Sequence, residues 1–410
     1  MKSKSRSRIL VLSLSLLLTY LFIKTTYVNE GIVSVTQSKI VSGKFQLQSV
    51  NLSTTLATNE SLFGRLCYKP VEHSTFLKTH KTGSTVIRKL VSKWRNRLGF
   101  PSIDLAKEHP TPFVGGYPGR INFKFVKNNN NKTPKVINSH FRFDAESLQN
   151  NLPTDTRLFT ILREPWKQFQ SSFNYYKHRK ASATAPCSYM PRLILQQGEI
   201  VHGANRFLEI CSQRLNASIP FYFRMKNYQA FDLGLDPFMV DDTEISIEVE
   251  KLDTAFHLVM INEYFDESLI LLKELLCLDL KDLVSKKLNV GKYNFEELQN
   301  SELFNTYQKL DIQLYEHFNR SFWKKVDQFG RERMQSELKS LQSLREQLLG
   351  NTEVGRHHIK RSTKVANALT NNDLKPLSLQ ERVREIRTKQ GVAVSEELVE
   401  YMIENGGGCY

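Results

Sequence analysis

Cysteine is scarce in this chain. The five at Cys67, Cys187, Cys211, Cys277 and Cys409 are too few to staple a disulfide scaffold, and their odd number leaves at least one thiol free or paired between chains. There is no C-x-x-C pair and no Cys/His cluster, so no metal site is expected. No apolar run reaches the roughly twenty residues of a comfortable membrane span. Acid is in short supply: 42 Asp+Glu stand against 57 Lys+Arg, a formal net charge of +15. Such an excess favours an anionic partner (nucleic acid, a nucleotide, an anionic glycan or a membrane surface) without choosing among them. Internal repeats are lacking, and so is the nucleotide-triphosphate loop G-x-x-x-x-G-K-[ST]. The nearest approach to that loop is Phe76 to Leu90, "FLKTHKTGSTVIRKL", in which Lys81 precedes Gly83 and the hydroxyls Ser84 and Thr85 follow directly.

What is present is enough for a globular protein. At 410 residues, 40% hydrophobic and 24% charged, the chain can bury one large core or two ordinary ones. Residues Ile9 to Ile23, "ILVLSLSLLLTYLFI", are uncharged and mostly apolar, preceded by Lys2, Lys4, Arg6 and Arg8. A signal-peptide core is the competing reading, but "KTTY" after Ile23 offers no small-x-small cleavage site. An uncleaved transmembrane anchor is therefore expected, with its basic end in the cytosol. Its short length suits the thinner membranes of the early secretory pathway. Asn51, Asn59, Asn131, Asn216 and Asn319 each begin an N-x-[ST] sequon, in agreement with a luminal location for the rest of the chain.

Residues 24–69 are rich in Ser, Thr, Asn and Val without sustained period and read as a stem. From about 70 to 345, short β-type runs alternate with helical patterns, the signature of an α/β domain with a mainly parallel sheet and flanking helices. Beyond lie the charged helix "RERMQSELKSLQSLREQLL", a polar stretch and a second helical pattern, "LSLQERVREIRTKQ". The helices after Glu332 either pack on the domain or mediate a homodimer.

"STFLK" reads as a buried strand, and Val86, Ile87, Leu90, Val91, Trp94 and Leu98 fall on one helical stripe, so the opening motif joins a strand to a helix. Backbone N–H groups from Thr82 to Thr85 would then sit at a helix N-terminus, which favours an anion, and Gly83 lets a ligand approach closely. An ordinary turn with capping hydroxyls has the same sequence requirements. The layout recurs at Arg157 to Lys180, "RLFTILREPWKQFQSSFNYYKHRK": a strand, Pro165 at a favoured first helical position, and a stripe of Trp166, Phe169, Phe173 and Tyr176. Arg163 stands at the strand's carboxyl end, where open α/β sheets bind ligands, and Ser171 lies about two helical turns on. Taken singly, Arg163 would as readily pair with Glu164. Two anion-suited turns in one sheet suggest a ligand with two phosphate-type ends.

The pairing of "LKTHKTGST" with "LREPWKQFQSSFNYY" resembles the 5′-phosphosulfate and 3′-phosphate motifs of Golgi sulfotransferases that use 3′-phosphoadenosine 5′-phosphosulfate (PAPS). Together with "SHFRF", "FDLGLD", "HLVMINEYFDESLILLKELLCLDL" and "LYEHFNRSFWKKVDQFGRERM", the chain is similar to the galactose 3-O-sulfotransferases over roughly residues 70 to 340. Glu164 stands where the family usually has Asp, Leu98 to Lys135 is divergent, and the acceptor-side stretch Ser182 to Met225 matches poorly. The resemblance implies a P-loop-like sulfotransferase fold, with residues 1–8 a cytoplasmic tail, 9–23 the anchor, 24–69 a luminal stem, 70–345 the catalytic domain and 346–410 a helical extension. It implies PAPS as donor without a metal, and no nucleic acid as partner. The acceptor it implies is a galactose-terminated glycolipid or glycan at the Golgi membrane, while a glycosaminoglycan uronic acid remains the alternative. Lys81 would contact the bridging oxygen between phosphate and sulfate, Lys78 the 5′ end, Thr82, Gly83, Ser84 and Thr85 the phosphosulfate, and Arg163 and Ser171 the 3′-phosphate. His140, at the end of the strand-like "KVINSH", would be the general base, with His109 and Glu108 next in line if it is structural.

Overall fold

The computed structural model describes residues 69–100, 115–126, 135–177, 203–219, 221–284 and 301–350. Two short strands, Ile40–Val41 and Lys44–Phe45, also pair antiparallel within a separate unit, Met1–Glu60. The apolar run 9–23, the stem, the sequons at Asn51, Asn59 and Asn131, His109, Glu108 and most of the C-terminal extension lie outside the described residues. Among the described residues no helix is long and apolar enough to cross a membrane.

Four parallel strands form the core sheet: β1 (Ser74–Leu77), β2 (Val136–Ser139), β3 (Arg157–Leu162) and β4 (Leu258–Ile261), in the order β2-β1-β3-β4. Their sequences are nearly continuous apolar runs, as strands covered on both faces require. Phe76 of β1 stacks on Phe159 of β3 with ring centroids 5.2 Å apart, and both are fully buried. From β1 the chain passes through helix α1 (Ser84–Leu98) to β2 on one side, then through α2 (Ala145–Asn151) to β3 on the other side of β1. The strand order reverses between β1 and β3. That switch point, at the strands' carboxyl ends, is where an open α/β sheet leaves a crevice for a ligand.

The amphipathic stripes meet expectation. Ile87, Leu90, Val91 and Trp94 of α1 are buried, as are Trp166, Phe169, Phe173 and Tyr176 of α3 (Pro165–Lys177). The latter four pack with Phe207, Leu208, Ile210 and the free thiol of Cys211 on α4 (Ala204–Arg214). Cys277 is disulfide-bonded. A short helix, α5 (Tyr228–Asp232), follows, then α6 (Asp242–Ala255), which leads to β4, and α7 (Phe265–Leu276), whose Leu269, Leu272, Leu275 and Leu276 are core as the Leu spacing predicts. After α8 (Glu302–Tyr307) and α9 (Lys309–Phe329) comes α10 (Arg331–Gly350).

Helix α10 packs on the domain. Met334 and Leu341 join the main core, Arg345 grips Asp266 of α7 with two 2.7 Å hydrogen bonds, and Lys273 pairs with Glu337 at 2.7 Å. We expect Leu341→Ala to cost about 2–5 kcal/mol by the lost burial and the cavity left behind, measured by urea denaturation. An unchanged transition midpoint would detach α10 from the domain.

Candidate active site

The loop after β1 is held from within. The hydroxyls of Thr79 and Thr82 bond each other at 2.8 Å, and Ser84 Oγ donates to the Thr79 carbonyl at 2.6 Å. Thr82 and Ser84 are buried, so their hydroxyls shape the loop, while Thr85 is exposed at the first turn of α1. The backbone N–H groups of Gly83, Ser84 and Thr85 make no hydrogen bond among the described residues and form the open N-terminus of α1. Lys81 adopts a left-handed conformation, φ 64°, and its ammonium rests 3.8 Å from the ring centroid of Tyr175 on α3. Gly83 has φ 80°, and a Cβ there would meet Asn262 Oδ1 at 2.5 Å. Both the left-handed backbone and the Asn262 amide, which would have to swing aside, favour glycine here.

The second turn lies against the first. The Arg163 guanidinium donates to the Lys81 carbonyl at 3.2 Å, and Gln168 of α3 donates to the His80 carbonyl at 3.1 Å. Glu164 does not pair with Arg163. Its carboxylate caps α3 instead, accepting from the N–H groups of Trp166 at 2.8 Å and Lys167 at 2.9 Å. Ser171, two turns along α3, is buried on the helix that carries Gln168 and Tyr175.

Helix α5 fixes both turns. Gln229 embraces the Arg163 backbone, accepting from its N–H at 2.8 Å and donating to its carbonyl at 2.9 Å. Asp232 accepts from the N–H of His80 at 2.7 Å, from His80 Nδ1 at 2.9 Å and from the Tyr117 hydroxyl at 3.0 Å. The His80 ring stacks on His140, centroids 3.8 Å apart and 15° from parallel. His140, just past β2, completes the cluster with Nε2 2.8 Å from Lys78 Nζ.

Lys78 is 8% exposed and forms no ion pair with a carboxylate among the described residues. Burial, with Arg88 nearby, pulls its pKa down to about 8. Burial also holds His140 well below the ordinary imidazole value, reinforced by His80 and Lys78. A buried ammonium without an ion pair among the described residues, at the same end of the sheet as open helix N–H groups and the Arg163 guanidinium, suits a dianionic or larger ligand. The donor set therefore fits the phosphosulfate and 3′-phosphate of PAPS.

Lys78, Lys81, Thr82, Gly83, Ser84, Thr85, His140 and Arg163 stand on the turns at the carboxyl ends of β1, β2 and β3, while Ser171 is buried on α3. His80, Asp232, Tyr117, Gln168, Gln229 and Asn262 join the site without any signal in the sequence. His80 and Gln168 sit inside the quoted motifs, and Asp232 inside "FDLGLD", but nothing local marks them as partners. Among the described residues, Glu250, Asp253 and His317 stand close enough to gather a metal ion. Asp253 is engaged by His317 at 2.9 Å and lies 3.9 Å from Lys325. Of the described sequons, Asn216 is exposed in a turn after α4, whereas Asn319 lies half-buried within α9 and offers the poorer glycan acceptor.

With this geometry in view, the comparisons with known proteins are direct. A family described as galactose-3-O-sulfotransferase matches residues 4–383, and the chain belongs to that family. It is 32% identical over 295 residues to human galactosylceramide sulfotransferase, an alignment covering 68% of this chain and 64% of that protein. It is 32% identical over 282 residues to Bos taurus galactose-3-O-sulfotransferase 3, covering 67% and 62%, and 30% identical over 300 residues to Sus scrofa galactose-3-O-sulfotransferase 2, covering 68% of each.

The two reasons for Gly83 can be separated. Gly83→Ala is expected to destabilise the protein by about 1–3 kcal/mol. Adding Asn262→Ala should recover the contact component and leave the backbone component, as read by denaturation of the single and double variants. Full recovery would leave no cost at φ 80°.

Proposed function

We propose that the protein transfers a sulfuryl group from PAPS to the 3-hydroxyl of galactose on a glycolipid or glycan. The observation that carries this is the joining of two anion-suited turns, after β1 and after β3, at the switch point of the sheet. Bound there, PAPS supplies the activated sulfuryl group. The N–H groups of Gly83 to Thr85 hold the phosphosulfate, with Lys78 and Lys81 taking up the negative charge that develops on the leaving oxygen. Arg163 and Ser171 hold the 3′-phosphate, the guanidinium as a fork. Orientation by the rigid α5 clamps keeps donor and acceptor in line, and neutralisation of charge by side-chain cations leaves no step that needs a metal ion.

The expected assay outcome is transfer of radiolabelled sulfate to galactosylceramide or N-acetyllactosamine, none to heparan, and no loss of turnover in EDTA. Transfer confined to heparan would replace the galactose assignment with a glycosaminoglycan one. Arg163→Ala should weaken adenosine 3′,5′-bisphosphate binding by about 1.5–3 kcal/mol, the worth of charged hydrogen bonds, and Lys81→Ala should abolish transfer. Calorimetry giving undiminished binding to Arg163→Ala would remove the 3′-phosphate assignment. Lys78 must be an ammonium to do its part, so kcat/KM for the donor should fall as pH rises through about 8.

The basic residues before 9–23, that short apolar run and the exposed sequon at Asn216 support a single-pass Golgi membrane protein with a luminal catalytic domain. Endoglycosidase should then shift the protein's mobility, and protease added to sealed microsomes should leave the chain beyond the anchor intact. Digestion of the bulk of the chain from outside would reverse the orientation.

A further inference from the structure

Beside Lys78, Lys81 and Arg163, a further guanidinium stands at this end of the sheet, that of Arg88 in the second turn of α1. Asn138 of β2 pins its backbone: the amide donates to the Arg88 carbonyl at 2.9 Å and to Ser92 Oγ at 2.9 Å, fastening this stretch of α1 to β2. The Arg88 side chain is half-buried, and among the described residues it has no hydrogen bond, ion pair or ring contact. Side chains on a helix lean toward its N-terminus, so the guanidinium reaches back over the first turn, where the N–H groups of Gly83 to Thr85 are open. Its charge is felt there. Burial first and Arg88 next pull the Lys78 pKa down to about 8, and Arg88 adds to the lowering at His140 after burial, His80 and Lys78. A guanidinium cannot shed its proton to relieve this repulsion, so an anion is the remaining way to offset it.

Strand order says which part of a ligand would meet Arg88. Strands β2 and β3 flank β1 on opposite sides. A nucleotide with its 3′-phosphate on the turn after β3 and its 5′ end on the loop after β1 therefore runs toward β2, and its last group in that direction is the sulfuryl. The loop's two lysines divide in the same sense: Lys81 rests on Tyr175 of α3, which follows β3, and Lys78 meets His140, which follows β2.

We propose that Arg88 binds the sulfuryl oxygens of PAPS, so that α1 contributes a side chain as well as its N–H groups to the donor site. The assignment rests on the sulfotransferase reading above. Negative charge that develops in the transfer falls on the leaving oxygen rather than on the sulfuryl oxygens. Arg88 thus binds ground state and transition state alike, unlike Lys78 and Lys81 at the leaving oxygen. The titratable and charged groups that act on Lys78 are Arg88, His140, Asp232 and Lys81.

The test uses the full-length protein in detergent, as wild type, Arg88→Gln and Arg88→Lys. Calorimetry without acceptor should show Arg88→Gln binding PAPS roughly ten- to a hundredfold more weakly, the usual worth of charged hydrogen bonds, while adenosine 3′,5′-bisphosphate, which lacks the sulfuryl group, binds within about twofold of wild type. In turnover the loss should fall on KM for PAPS rather than on kcat. Arg88→Lys keeps the charge without the fork and should recover part of the binding. Removing the Arg88 charge lets Lys78 hold its proton to higher pH, so the alkaline limb of kcat/KM should move up from about 8 in Arg88→Gln and stay in place in Arg88→Lys. Equal weakening of PAPS and the bisphosphate, or a loss confined to KM for the acceptor, overturns the sulfuryl assignment. Transfer by wild type with undiminished PAPS binding by Arg88→Gln overturns the role of Arg88 alone. Wild-type protein that binds no PAPS and transfers no sulfate overturns the sulfotransferase reading and Arg88 with it.

Discussion

Two side chains on one five-residue helix hold the crevice together: Gln229 grips the turn after β3, and Asp232 grips the turn after β1. Each turn leaves a strand and enters a helix through backbone groups that the sheet no longer pairs. The clamps supply the missing partners, and they do so from a single element, so the spacing between the turns is the spacing between residues one turn apart on α5. That helix is itself fixed from α9, where buried Asp311 accepts from the N–H groups of Gln229 and Ala230. Burial raises the Asp311 carboxyl to about 7 even though helix N–H groups donate to it. The long C-terminal helices thereby reach the chemistry without touching it.

Charge is the second constraint. Lys78, Lys81 and Arg163 stand on the two turns, and each has a neighbour other than a carboxylate among the described residues. Lys78 is buried beside a neutral imidazole, Lys81 rests on the face of Tyr175, and Arg163 is turned onto a carbonyl. Glu164, the acid nearest Arg163 in sequence, is occupied as the cap of α3. Among the described residues the Asp232 carboxyl, which burial pushes well up, meets His80 and the Tyr117 hydroxyl. Binding a bisphosphorylated nucleotide demands such a gathering of cations.

Much of this was legible in the sequence because it is periodic or local. Apolar runs gave β1, β3 and β4, stripes at helical spacing gave α1, α3 and α7, and the order of Lys81, Gly83 and the hydroxyls marked a loop for an anion. The pairings that complete the site were not legible. His80 meets Asp232 across 152 positions of chain and Arg163 meets Gln229 across 66. Such contacts follow from the sheet order, and no spacing encodes them. Nor does local spacing announce that the Thr82 and Ser84 hydroxyls bond within the loop, where a buried hydroxyl takes the nearest partner. His140 drew attention as a histidine at a strand end, while His80, hidden inside a lysine motif, has the carboxylate partner.

The central claim is that the two turns are one site for the two ends of one nucleotide. A structure of the protein with adenosine 3′,5′-bisphosphate tests it most directly. The account predicts the 5′-phosphate on the N–H groups of Gly83 to Thr85 beside Lys78 and Lys81, and the 3′-phosphate on Arg163 and Ser171. A nucleotide that touches only one of the turns, or neither, would contradict it.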